Sequence, residues 1–171
     1  MKNKLVISLL IIFFVSCTGY QVGSISHPQV QKVAIGKINN ETDEPRLAIF
    51  MMEKLKERIL QDGSFELVNK GDAGVDAILT GTLTHFDYRA RGLRRKNEQS
   101  DERYRADFYE MRLFFDYEIK TPAGLVIQQE KKSDYAHFGE AIDTAVERRD
   151  GLERASYNLS MKVISHLAEA W

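Results

Sequence analysis

Polar and apolar residues change their spacing several times along the chain, and each change marks an element. Leu5 to Val15 is an almost unbroken apolar stretch of eleven residues in which Ser8 is the only polar one. Val33, Ala34 and Ile35 form the centre of a short apolar run from Val30 to Ile38, which suits a buried strand. Asn39 to Pro45 collects turn formers, candidate N-caps and a proline fit for a first helical turn. Leu47, Phe50, Met51, Leu55 and Ile59 then recur at intervals of three and four, with Glu53, Lys54, Lys56, Glu57 and Arg58 opposite them. That spacing predicts an amphipathic helix of about four turns, closed at Asp62-Gly63 by the usual C-terminal glycine.

Strand-like spacing follows. Phe65 to Val68 reads as a short strand and Asn69 to Gly74 as a turn. Gly71-Asp72-Ala73-Gly74 precedes a strand, not a helix, so it lacks the context of a phosphate cradle and is expected to be a hairpin turn. From Val75 to Phe86, Ala77, Leu79, Gly81 and Leu83 share one face while Ile78, Thr80, Thr82 and Thr84 share the other, as in a sheet with one side exposed. Tyr109, Met111, Leu113, Phe115, Tyr117 and Ile119 alternate with Glu110, Arg112, Asp116 and Glu118, and only Phe114 breaks the polar side. Thr121-Pro122-Ala123-Gly124 fits a tight turn into a further strand from Leu125 to about Glu130. Thr144 to Glu169 carries a possible capping box at Thr144 and Glu147 and an apolar stripe of Leu152, Ala155, Leu159, Val163 and Leu167. Gly151 weakens this second helix locally by about 1 kcal/mol relative to alanine. The order β-α-β-β-β-β-α predicts an α+β two-layer sandwich, a mixed four- to five-stranded sheet with two helices on one face.

The front of the chain belongs to a different class of segment. Lys2 and Lys4 precede the apolar stretch and Ser16 follows it, the pattern of a secretory signal peptide over residues 1–16. A membrane-spanning helix needs about 20 apolar residues, more than this run supplies. Cys17 is the only cysteine, so no intramolecular disulfide or Cys-rich zinc module can form. Phe14-Val15-Ser16-Cys17 resembles the bacterial lipobox, in which the cysteine is acylated before cleavage, with Phe14 standing where leucine is usual. Thr18 is not the aspartate that resembles an inner-membrane retention signal, which points to the outer membrane. The expected organisation is a signal peptide, a lipidated N-terminus and linker over residues 17–30, and one domain over residues 31–171. The whole chain has 24 basic and 25 acidic residues; loss of Lys2 and Lys4 leaves 22 against 25, a net charge of −3. That balance gives no reason to expect nucleic acid as a partner.

Chemistry is sparse. The sequence has no G-x-S-x-G, H-E-x-x-H, P-loop or G-x-G-x-x-G motif, and no catalytic residue, metal or cofactor is expected. His27, His85, His137 and His166 are far apart; His85 and His137 are the pair that neighbouring strands could bring together. Glu140, Asp143 and Glu147 fit a helix start, where acids favour the dipole. Residues 89–105 stand out, with Arg89, Arg91, Arg94, Arg95, Lys96, Arg103 and Arg105 against three acids, a net +4 that leaves −7 for the rest of the mature chain. Lacking apolar periodicity, this segment is expected to be an exposed, mobile loop between two strands. Two readings stand: a solvated charged loop, or contact with a phosphorylated lipid head group, since guanidinium groups bind phosphate in bidentate fashion.

Several stretches together resemble the LPS-assembly lipoprotein LptE family. They are Cys17-Thr18-Gly19-Tyr20-Gln21-Val22, Val33 to Leu47 (VAIGKINNETDEPRL), Phe65-Glu66-Leu67-Val68 and Val75 to Leu83, followed by the hairpin and the C-terminal helix. Thr18 departs from the glycine that the family usually places after its cysteine. The resemblance implies an outer-membrane, periplasm-facing lipoprotein that plugs a large β-barrel, LptD, and helps deliver lipopolysaccharide to the outer leaflet. It also implies lipopolysaccharide as a ligand, whose phosphates Arg89, Arg91, Arg94, Arg95 and Lys96 are then expected to meet. The Val33 to Pro45 stretch is also similar to the opening of curli-secretion and penicillin-binding-protein-activator lipoproteins, and an enzyme of unknown type is the third class.

Overall fold

The computed structural model describes residues 30–95, 104–139 and 144–169. The expected signal peptide, Cys17, most of the linker, His27, Lys96, Glu140 and Asp143 lie outside the described residues. The elements are β1 (Lys32–Asn40), α1 (Leu47–Asp62), β2 (Glu66–Val68), β3 (Ala77–Arg95), β4 (Tyr104–Lys120), β5 (Val126–Gly139) and α2 (Thr144–Glu169). They follow the predicted order, in an α+β fold with one five-stranded mixed sheet ordered β2-β1-β3-β4-β5.

β1 is parallel to both β2 and β3, with Val33 level with Leu67 on one side and Ala77 on the other. The segment 69–76 is therefore not the turn of a hairpin: β2 and β3 run the same way with β1 between them. Because β2 is only three residues long, a short turn suffices to bring the chain back to the far side of β1. Asp76 fixes the crossing, since its carboxylate accepts the backbone N–H groups of Gln31 at 2.9 Å and Lys32 at 2.8 Å. These bonds hold its pKa below the ordinary 3.8.

The apolar faces predicted from alternation are the ones that meet. Leu79, Leu83, Leu113, Phe115, Tyr117 and Ile119 join the α1 stripe (Leu47, Met51, Leu55, Ile59) and the α2 stripe (Leu152, Ala155, Leu159, Val163, Leu167) in one buried cluster. Each such aliphatic side chain gains about 1.5–3 kcal/mol from burial. At one end of this layer Tyr117 Oη and Gln128 Nε2 lie 2.9 and 2.8 Å from His166 Nδ1, joining β4, β5 and α2. At the other end Arg148 of α2 donates twice to Glu44, at 3.1 and 2.8 Å, beside the rings of Phe86 and Tyr88.

The sheet corrects the reading of residues 89–105 as a loop. β3 continues to Arg95 and β4 starts at Tyr104, paired without a break in sequence from Arg89↔Glu110 to Arg91↔Phe108 and on to Arg95↔Tyr104. Only residues 96–103 remain between the strands, and they lie outside the described residues. A two-stranded ribbon has water on both faces, so its strands need no apolar alternation to form a ladder. β5 likewise runs on to Gly139, well past Glu130; as an edge strand it tolerates Lys131, Lys132 and Asp134. The sheet thus narrows from five strands to four beyond Ala34, to three beyond Asn40, and to the two strands of a β3–β4 arm beyond the Phe108↔Gly139 pair.

Candidate functional site

The sheet face turned away from the helices carries the polar halves of β3, β4 and β5. Register sets three rows across it: Arg89–Glu110–His137, Asp87–Arg112–Tyr135 and His85–Phe114–Ser133. A register shift on β3 between Leu83 and His85 turns His85 onto this face opposite Phe114, and the two ring centroids lie 5.5 Å apart.

Glu110 is the hub of the charged part. Arg91 donates to its Oε1 at 3.1 Å, Arg112 approaches the same oxygen at 3.5 Å, and His137 Nε2 lies 3.4 Å from Oε2. The Arg91 hydrogen bond, foremost, holds the Glu110 carboxyl below its ordinary 4.5, against the opposing effect of burial. Arg89 donates to Asp87 Oδ2 at 2.8 Å, and His85 Nε2 is 2.9 Å from Asp87 Oδ1. The Arg112 guanidinium lies 5.4 Å over the Tyr135 ring. Lower on the same face, Lys131 pairs with Asp116 and Lys120 with Glu118.

Exposure is uneven within these pairs. The Arg91 and Arg112 side chains are 43% and 39% exposed, against 12% for Glu110. The carboxylates lie beneath and the guanidinium groups outside, with N–H donors left for an anion. Of the five basic residues singled out in the sequence, Arg89 and Arg91 meet on this face. Arg94 and Arg95 sit further out on the arm, with Arg94 level with Arg105, and Lys96 lies outside the described residues. Arg112, Glu110 and Tyr135 were missed as site residues. Alternation placed Glu110 and Arg112 on a polar face, yet only register shows which strand each one meets.

His85 and His137 do not meet, because β4 separates their strands. Among the described residues no group of three His, Cys, Asp or Glu side chains could hold a metal ion. A groove of about 480 Å³ runs between β5 and α2, lined by Lys54, Tyr135, His137, Glu153, Arg154 and Asn158 among others. Its charges are mixed in sign, and Asn158 already bonds the Tyr135 carbonyl at its edge.

No curated protein matches the chain. Solved structures share its fold at low identity. The PelC dodecamer from Paraburkholderia phytofirmans is 15% identical with a TM-score of 0.53, over 85% of this chain and 95% of that one. A minor lipoprotein from Acinetobacter baumannii is 11% identical with a TM-score of 0.51, over 82% and 94%. The hypothetical protein CT253 from Chlamydia trachomatis is 9% identical with a TM-score of 0.54, over 81% and 96%. Likeness at these identities establishes the fold alone. Residues 30–167 match the family described as LptE, lipopolysaccharide-assembly, a span that takes in all five strands, α1 and all but the last two residues of α2. The chain therefore belongs to the LptE family of lipopolysaccharide-assembly lipoproteins.

Proposed function

We propose that this protein is the lipid-anchored partner of the LptD β-barrel. In this reading residues 1–16 are removed, Cys17 is acylated, and residues 17–30 tether a domain of residues 31–171 at the inner surface of the outer membrane. The domain plugs the barrel and assists passage of lipopolysaccharide to the outer leaflet. The observation that carries the reading is the family match over nearly all of the described chain. Two structural features support it. The lumen of a large outer-membrane barrel is polar, and the open face of β3, β4 and β5 is a polar surface whose charges are already paired. The tether raises the concentration of the domain near a barrel in the same membrane.

The role is mechanical, with no bond-making step assigned to any residue. Lipopolysaccharide phosphates are assigned to Arg89, Arg91, Arg94, Arg95 and Lys96, and Arg112 joins them through the register of β4. Replacing the five by serine is expected to weaken lipopolysaccharide binding at least tenfold and to flatten its salt dependence, because phosphate contacts by exposed cations are screened. Unchanged binding contradicts the phosphate assignment. A photoreactive residue at Tyr135 on the open sheet face is expected to give an adduct with the barrel in living cells, and one at Ile49 on α1 is not. An adduct from Ile49 alone contradicts this choice of face.

A further inference from the structure

The sheet has two outer strands of very different length. β2 is three residues long and leaves little edge to pair. β5 runs for 14 residues, Val126–Gly139, with a strand on one side of it only. A long edge strand offers a row of N–H and C=O groups to any extended chain, and proteins blunt such edges.

Hydrogen bonds show where this edge is blunted. In an antiparallel pair, alternate residues turn both backbone groups toward the neighbouring strand and the others turn both away. The Ser133 carbonyl accepts from Lys162 Nζ at 3.2 Å and the Tyr135 carbonyl from Asn158 Nδ2 at 2.8 Å, both donors on α2. Odd-numbered residues are therefore the outward set. The register with β4 is unbroken from Gln128 to Gly139, so Gln129 and Lys131 belong to that set too. The Tyr135 N–H is also taken, by Asp134 Oδ1 at 2.8 Å, and Lys162 Nζ lies 3.1 Å from Asp134 Oδ2. Asp134 sits level with buried Leu113, on the side of the sheet that faces the helices. Two α2 residues one turn apart, with the aspartate that one of them binds, thus occupy both outward carbonyls and one outward N–H at Ser133 and Tyr135.

The sequence of β5 shows what this closure excludes. Laid antiparallel on a second copy of itself about Lys131, the strand sets Glu130 opposite Lys132 twice, two pairs of opposite charge. Lys131 then meets its own copy, with its charge already paired to Asp116 in each chain. Gln129 stands opposite Ser133 on either side of that centre. Both of those rows need the Ser133 carbonyl, which Lys162 holds.

We infer that Asn158 and Lys162 of α2 guard the β5 edge, and that the contact they prevent is strand-to-strand pairing with a second copy of this chain. The guard follows from the fold alone and does not depend on the barrel assignment. It leaves the open sheet face untouched, so a single domain can still present that face to a partner.

Full-length protein and its Asn158→Ala/Lys162→Ala variant are compared by sedimentation equilibrium in density-matched detergent. Asn158 is half-buried and Lys162 exposed, and alanine favours a helix at both positions. The variant is expected to dimerise about tenfold more tightly than the unsubstituted protein. Adding Lys131→Pro is expected to undo this gain, since proline is tolerated on an edge where the lost N–H points away from the sheet. A variant no more associated than the unsubstituted protein overturns the guard. A dimer that survives Lys131→Pro overturns pairing through β5. If the double variant does not fold, amide exchange in the unsubstituted protein decides. The Tyr135 N–H is expected to exchange about tenfold more slowly than those of Gln129 and Lys131, and equal exchange overturns the guard.

Discussion

A methyl group added at Gly81 would lie 2.3 Å from Phe115 Cζ and 2.8 Å from the Asp116 carbonyl oxygen, because the Phe115 ring occupies the space above the glycine. The ring and the gap are one device: the fully buried Phe115 of β4 packs over a position on β3 that has no side chain. Gly81→Ala is expected to cost about 1–3 kcal/mol, the usual range for overpacking, seen as a lower urea midpoint. At Gly151 the added methyl would meet Met111 Sδ at 2.8 Å and Phe138 Cδ1 at 3.0 Å. That glycine admits α2 close to the sheet, which the sequence alone shows only as a weak point in a helix. Met111 is flexible, and alanine favours the helix by about 1 kcal/mol, so Gly151→Ala is expected to lower the midpoint much less than Gly81→Ala. Asp76 supplies a pH dependence. Folding lowers its pKa through bonds from the Lys32 and Gln31 N–H groups, so its contribution is complete above the ordinary value of 3.8 and is lost as pH falls through the folded value. The stability gap between the unsubstituted protein and Asp76→Asn is therefore expected to be widest near neutral pH and to close in acid. A gap that stays constant across that range contradicts this role.

The arm is an element whose stability comes from its ladder and its ion pairs, with little apolar cover. Two-stranded ribbons are marginal on their own, and here one end is carried by a packed sheet. Amide hydrogens of β3 beyond Arg91 are expected to exchange at least tenfold faster than those from Leu79 to Leu83, which lie between β1 and β4 in the four-stranded part. Equal protection along β3 contradicts that gradient. The same physics explains what the sequence revealed. Val33 to Ile38, Leu47 to Ile59, Tyr109 to Ile119 and the α2 stripe bury one face each, and burial writes a period of 2 or 3.6 into the chain. Arg89 to Arg95 and Lys131 to Asp134 hold few apolar residues, so nothing in their order distinguishes a strand from a loop. The five basic residues were visible as a charge cluster, whereas the Glu110 hub and Arg112 were not, since cross-strand neighbours follow from register and not from sequence distance.

At the scale of the whole molecule the arm and the chain entry lie at opposite ends of one sheet. Arg89, Arg91, Arg94, Arg95 and Arg105 all lie on the arm half of β3 and β4. On the proposed phosphate assignment, association of a phosphate-bearing ligand with the arm end is expected to slow as salt rises. The chain belongs to the LptE family, and the proposed function makes it the partner of a large outer-membrane barrel. The most direct test is detergent extraction of full-length tagged protein from its own membranes, with co-purifying proteins identified by mass spectrometry and their ratio measured. A large outer-membrane β-barrel recovered in a one-to-one ratio is the expected result. Recovery of a cell-wall synthase or a secretion pore in its place would contradict the account.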